Sequence, residues 1–220
     1  MRVCRRCALL AAFASAIGCA WALPASQVAA ADANAAVTGA QPVDAGPLAA
    51  LAERTFREAF ESVNTPENMA QHCRDCYGEG IQGREIADPA RVTLLCESGG
   101  ELAGYAQLRW GVPPACVAGT APGEIQRLYV AHAFHGRGVA QVLMDACLAE
   151  LAARGSDLAW LGVWEHNPRA LAFYRKYGFV AVGAQVFPVG DDPQRDLVMV
   201  RPFPGRDATR VEPASQPPGA

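Results

Sequence analysis

EIQRLYVAHAFHGRGVA, residues 124–140, is the stretch on which the reading of this chain turns. An apolar strand from Glu124 to Val130 runs into a glycine-bearing loop, His135 to Ala140, and an amphipathic helix opens at once. Loop and first-turn N–H groups at such a junction have no intrahelical acceptor, and the helix dipole adds positive potential there. The junction is therefore suited to hold a phosphate.

Two familiar phosphate loops fit poorly. The GxxxxGK[ST] spacing is absent, and with it the Lys and Ser/Thr that a nucleotide and its magnesium need. Of the dinucleotide pattern GxGxxG, Gly136 and Gly138 fill two places, but Gln141 stands where helix–strand packing wants a small residue. What fits is Q/R-x-x-G-x-G/A, read as His135-Gly136-Arg137-Gly138-Val139-Ala140, with His135 in place of Gln or Arg. In this the chain resembles the GNAT superfamily of acyl-CoA-dependent N-acetyltransferases, whose loop wraps the coenzyme A pyrophosphate. The departure at His135 removes one side-chain contact and leaves the backbone amides in place.

A second block follows at the right distance. Residues 160–179 read WLGVWEHNPRALAFYRKYGF, which resembles the superfamily's Asn followed by a helix carrying AxxFYxKxGF. The wording is most similar to bacterial polyamine (spermidine/spermine) acetyltransferases, also at Thr65-Pro66-Glu67-Asn68-Met69 and from Gly190-Asp191-Asp192 to Met199. The resemblance covers about residues 36 to 203. It implies an α/β (α+β) GNAT fold, with a mixed, mostly antiparallel sheet flanked by helices.

The implied chemistry is direct transfer of an acetyl group from acetyl-CoA, as co-substrate, to a primary amine. That reaction needs a deprotonated amine, in-line placement, N–H donors for the oxyanion and help for the leaving thiolate. The resemblance makes Glu124 the expected base, directly or through water. Strand alternation places it with Gln126, Leu128 and Val130; the alternative is a strand-end acid, solvated or paired with Arg127. The backbone of Leu128, Tyr129 and Val130 would pair with the pantetheine arm, and the Val130 N–H would serve the oxyanion. His135, Gly136, Arg137, Gly138, Val139 and Ala140 would hold the pyrophosphate, and Asn167 the pantetheine amides. Tyr174, seven residues after Asn167, is the expected acid. A phenol at about 10 and a thiol at about 8.5 make full transfer uphill by roughly 2 kcal/mol, so a hydrogen bond to developing thiolate describes it better. Alternatives for Tyr174 and Asn167 are a core aromatic and a helix cap. Other acceptors for the same chemistry are a protein N-terminus or lysine, or an aminoglycoside. A non-catalytic acyl-CoA-binding regulatory module is the reading from another class.

The rest of the chain bounds these expectations. With 220 residues and a formal net charge of −3, one domain with tails fits, and a nucleic-acid surface does not. Residues 1–34 read as a leader, 35–203 as the domain and 204–220 as a Pro-rich, disordered tail. Arg2, Arg5 and Arg6 precede an apolar run from Cys7 to Leu23, ending near Ala20-Trp21-Ala22, the layout of a secretory signal; Ala16 to Cys19 is a lipoprotein-like box. Against export, acetyl-CoA is cytosolic, and the five cysteines beyond the leader cannot all pair. The expectation is a cytoplasmic protein whose leader belongs to an early start, with a periplasmic or lipid-anchored protein as alternative. A small-molecule amine partner is expected, with no nucleic acid and no stable membrane association; a homodimer is compatible.

Helices are expected at Asp44–Ala59, from Thr65-Pro66-Glu67, at Val139–Ala153 and from Asn167-Pro168 to before Gly178. Strands are expected at Val92–Cys96, Leu102–Trp110, Glu124–Val130, Leu158–Val163, Phe179–Val189 and Leu197–Val200. Residues 24–40 read as partly disordered. His72, Cys73 and Cys76 hint at zinc or redox work, but without a second ligand pair they read as ordinary helix positions, and no metal is expected. Glu61, Glu67, Asp191 and Asp192 are acids that could face a polycation, or merely face solvent.

Overall fold

A computed structural model describes residues 34–205. The expectations for the leader, and for the tail beyond Gly205, lie outside the described residues. A seven-stranded sheet runs in the order β1-β2-β3-β4-β5-β7-β6. The strands are β1 (Ala35–Gly39), β2 (Arg91–Ser98), β3 (Glu101–Arg109), β4 (Gly123–Val130), β5 (Leu158–Trp164), β6 (Val180–Val189) and β7 (Asp192–Pro202). Every neighbouring pair is antiparallel except β4 with β5. The helices are α1 (Ala45–Phe60), α2 (Pro66–Cys76), α3 (Glu79–Ala87), α4 (Val139–Ala153) and α5 (Pro168–Lys176).

Local chemistry explains most boundaries. Leu48, Leu51, Ala52, Thr55 and Phe56 are buried on α1, the spacing of one helical face. Thr65 Oγ1 accepts the Asn68 N–H at 3.3 Å, capping α2 with Pro66 at its first position. The β2–β3 turn is Gly99-Gly100, both at positive φ (63° and 82°), the backbone that a tight two-residue hairpin requires. The core gathers Leu48 and Phe56 of α1, Tyr105 and Leu108 of β3 and Leu143 and Leu151 of α4, all almost fully buried.

Two elements differ from expectation. Ala35–Gly39, inside the stretch read as partly disordered, pairs with Gly39↔Leu94 through Ala35↔Ser98 as an edge strand; main-chain pairing holds it, so its small residues give no apolar signal. Helix α3 was not foreseen: Gly80 and Gly83 lower its propensity, and Gln82 is its one buried residue. His72, Cys73 and Cys76 do lie on a helix, with Cys76 Sγ 3.8 Å from His72 Nδ1. Among the described residues no group of three or more His, Cys, Asp or Glu could hold a metal ion. No described helix is long and apolar enough to cross a membrane.

Candidate active site

The sheet is open in its middle. β4 and β5 pair only at Gly123↔Ala159 and Glu124↔Trp160 and then diverge. On its other side β4 stays paired with β3, through Ala106↔Leu128 and Gly104↔Val130. The Ala131 N–H donates to the Ala103 carbonyl at 2.9 Å, which makes Gly104–Val130 a non-hydrogen-bonded pair. By the same alternation the main-chain groups of Leu128 and Val130 point away from β3, into the seam beside β5. A cavity of about 920 Å³ occupies this seam.

At one end lies the glycine loop. Gly136 and Gly138 adopt φ of 79° and 85°, conformations costly for any other residue, and Gly138 leads straight into α4. The Gly136, Gly138, Val139 and Ala140 N–H groups make no hydrogen bond, whereas the Arg137 N–H donates weakly to the Phe134 carbonyl at 3.4 Å. Four free amides at a helix N-terminus form a nest for an anion. His135 Nε2 is 2.9 Å from the Val130 carbonyl oxygen and its Nδ1 is 3.0 Å from Arg169 Nη1. Since guanidinium only donates, Nδ1 accepts and Nε2–H donates, the neutral tautomer. Burial, with Arg169 and His132 nearby, moves the His135 pKa down.

Helix α5 supplies the opposite wall. Asn167 Oδ1 accepts the Ala170 N–H at 3.0 Å and so caps α5, leaving its amide NH₂ for other partners; the cap and a ligand contact are compatible. Tyr174 also lines the cavity, where burial raises its phenol well above the ordinary value. Cys147, behind it on α4, is buried, and its thiol is pushed up to about 12.

The other end is a bay between α1, α2, β4 and the β6–β7 pair. It carries Phe56, Phe60, Tyr77, Trp164 and Phe187, with the acids Glu58, Asp75 and Asp196. None of Glu61, Glu67, Asp191 and Asp192 lines it. Glu58 and Asp75 stand outside every motif, and Asp196 lies within the matched stretch Gly190–Met199 without a role that the motif assigns. Under the bay runs a buried polar network. Arg127 donates to Glu85 at 2.7 Å and to Gln107 Oε1, and Gln107 Nε2 donates to Glu85 at 3.0 Å and to Thr93 at 3.3 Å.

Glu124 is not brought to this site. The β3–β4 register skips from Gln107↔Arg127 to Leu108↔Ile125, so Gln126 is an extra residue in a bulge. The bulge inverts the alternation and places Glu124 on the face of Arg127 and Tyr129 rather than that of Leu128 and Val130. The carboxylate is buried at the closed end of the seam, roughly 20 Å from Val130 at about 3.3 Å per residue. It is doubly bonded to Arg109, not Arg127. Burial raises its pKa, and the Arg109 guanidinium partly offsets this. By contrast Leu128, Tyr129, Val130, His135, Gly136, Gly138, Val139, Ala140, Asn167 and Tyr174 all line the one cavity. Arg137 does not; its guanidinium lies 5.2 Å from the Phe134 ring centroid.

A sheet opened beside an amide nest, with a Tyr on the facing helix, defines an acyltransferase. The model of the Acetyltransferase (GNAT) family matches residues 51–179. An uncharacterized N-acetyltransferase of Mycobacterium tuberculosis is 35% identical over 158 residues, 72% of this chain and 97% of that one. An uncharacterized N-acetyltransferase of Lactobacillus delbrueckii subsp. lactis is 34% identical over 152 residues, 68% and 87% of the two chains. In fold, the chain is similar to PaiA N-acetyltransferase from Thermoplasma acidophilum in complex with coenzyme A. That match has a TM-score of 0.61 and 17% identity, covering 77% of this chain and 99% of that one. The chain belongs to the GNAT family and is an N-acetyltransferase.

Proposed function

We propose that this enzyme transfers the acetyl group of acetyl-CoA to a primary amine of a small, flexible polycation of the polyamine class. The observation that carries the reading is one continuous cavity that joins an anion-ready loop to an acid- and aromatic-lined bay through an open seam. In this reading the Gly136, Gly138, Val139 and Ala140 amides bind the pyrophosphate. The Leu128 and Val130 main chain pairs with the pantetheine arm as an added strand. The Val130 N–H, already aimed into the seam, donates to the oxyanion. Asn167 binds a pantetheine amide, and the Tyr174 phenol hydrogen-bonds the departing thiolate.

The amine attacks the thioester directly. Cys147 carries its proton at neutral pH and has no base beside it, so an acyl-enzyme has no nucleophile there. Aromatic faces with interspersed carboxylates suit a chain of ammonium and methylene groups, by cation–π contact and charge. The cytoplasm, where acetyl-CoA is available, is the compartment we assign to the activity.

The test is thiol release by the full chain with acetyl-CoA and an amine panel: spermidine, spermine, a peptide with a free N-terminus and an aminoglycoside. Turnover strongest with the polyamines is expected. Tight acetyl-CoA binding with no turnover on any amine overturns the reading in favour of a binding module, and preference for the peptide overturns the acceptor class.

A further inference from the structure

Three carboxylates are buried among the described residues: Glu124, Asp157 and Asp196. Glu124 is held by Arg109. Asp157 accepts the Thr120 hydroxyl at 2.9 Å and the Ala121 N–H at 3.2 Å. The Asp196 carboxylate has neither a hydrogen bond nor an ion pair, although the residue is only 8% exposed. A buried carboxylate without a partner is costly, and folds retain such groups where a ligand supplies the partner.

Asp196 sits where that ligand would come. On β7 it stands opposite Trp164 of β5 and Gln185 of β6. Strand pairing puts it on the face of Trp164 and Gly162, the face that Glu124↔Trp160 shares with Tyr129 of β4. It lines the cavity with Tyr129, Gly162 and Trp164, facing the aromatic bay. Gly162 makes the room: a Cβ there would lie 2.7 Å from Gln185 Nε2 and 3.3 Å from Asp196 Oδ2.

The other ionisable groups facing this space are paired, hold their protons or, like Asp75, are exposed. Glu58 of α1 accepts the His132 N–H at 2.9 Å. On α2, Asp75 is exposed at the mouth and His72 is stacked on Phe56 with its pKa lowered by burial. Arg127 of β4 is paired with Glu85. The phenols of Tyr77, Tyr129 and Tyr174 are all raised by burial and keep their protons, as does the Cys76 thiol. Glu165, after β5, is paired with Arg195 and is the charge acting on Asp196.

We infer that Asp196 is the catalytic residue that receives the acceptor ammonium and takes its proton. This rests on the acetyl-transfer reading. The ammonium gives one proton to the Asp196 carboxylate, and the freed lone pair forms the C–N bond to the acetyl carbon. The C–S bond breaks with its electron pair on sulfur. The second nitrogen proton passes through the Tyr174 hydroxyl to the thiolate, giving free coenzyme A thiol, and Asp196 returns its proton to water. Burial, with Glu165 nearby, raises the Asp196 pKa to about 6, which keeps it ionised at neutral pH yet basic enough to act.

The experiment compares the full-length enzyme with Asp196→Asn and Asp196→Glu, using acetyl-CoA and the best amine of the panel. In Asp196→Asn, kcat/KM for the amine should fall on the order of 10²–10³-fold at pH 7.5. Its acetyl-CoA Kd should stay within about twofold, since binding lies across the seam, and that also reports a folded site. The wild-type rate should rise through about pH 6. That limb should vanish in Asp196→Asn, leaving a residual rate that climbs about tenfold per pH unit with the free amine. Asp196→Glu should recover part of the loss. An active wild type with Asp196→Asn of unchanged kcat/KM and pH profile overturns this assignment alone. A wild type inert towards every amine overturns the transfer reading and the assignment with it.

Discussion

His135 Nε2 donates to the Val130 carbonyl across 2.9 Å, so the first residue of the glycine loop is fastened to the last residue of the strand before it. The imidazole does this only while neutral, because its Nδ1 must accept from Arg169. Protonation turns Nδ1 into a donor facing a guanidinium. The folded His135 pKa lies below the ordinary value of about 6.5. The folded state therefore binds fewer protons than the unfolded one, and the contact's contribution is present above that range and lost as pH falls through it. Acetyl-CoA affinity should weaken on acidification below the ordinary imidazole range, with kcat less affected. In His135→Gln, Kd titrations between pH 5 and 8 should be flat; a slope equal to wild type would count against this role.

Glu124 has the opposite standing. Its carboxylate is occupied by Arg109 at the closed end of the sheet. Glu124→Gln should keep the wild-type pH–rate profile and change stability little, because burial of the carboxylate outweighs the contribution of Arg109, which is 39% exposed. Urea unfolding and a pH series measure both, and a lost acid limb would restore Glu124 as the base.

Arg127 and Glu85 form a largely shielded pair, with side chains 13% and 14% exposed. Arg127→Leu would leave Glu85 and the Gln107 amide oxygen without their shared donor. Removing one member of such a pair costs about 3–5 kcal/mol. Thermal unfolding should drop by roughly 6–20 °C at 2–4 °C per kcal/mol, and the double change Arg127→Leu with Glu85→Leu should recover a substantial part.

The carboxylate of Asp196 is a burden on the fold. Its folded pKa of about 6 exceeds the ordinary aspartate value of about 3.8. The folded state thus binds more protons, and the stability associated with them, complete below about pH 4, is lost as pH rises through 6. That difference corresponds to about 2–3 kcal/mol. Asp196→Asn should therefore raise Tm at pH 8 by roughly 4–12 °C and change it little at pH 4. An equal shift at both pH values would mean the carboxylate is not strained.

These cases show where sequence was enough. The loop at His135–Ala140 and the cap at Asn167 are set by residues within one turn of each other, so spacing reveals them. The pairing of Trp164 with Asp196 joins residues 32 positions apart through the β5–β7 register, and spacing alone does not reveal it. Glu124 was misplaced by one inserted residue, Gln126, because a period-two count cannot see a bulge. Helix α3 and strand β1 escaped for a related reason. Gln82 and the small residues of Ala35–Gly39 are held by polar and main-chain bonds rather than by an apolar stripe.

The gap between β4 and β5 has a consequence for how long the protein survives. If the pantetheine arm fills the seam, its amides become the missing rungs of the sheet, and the sheet is continuous only in the loaded state. Binding then adds stability as RT ln(1 + [L]/Kd), about 2.7 kcal/mol at a hundredfold excess over Kd. A cell short of acetyl-CoA would hold this enzyme chiefly in its split form, open to proteases along the seam. Nutrient supply would set not only the rate of the reaction but the number of molecules present to perform it.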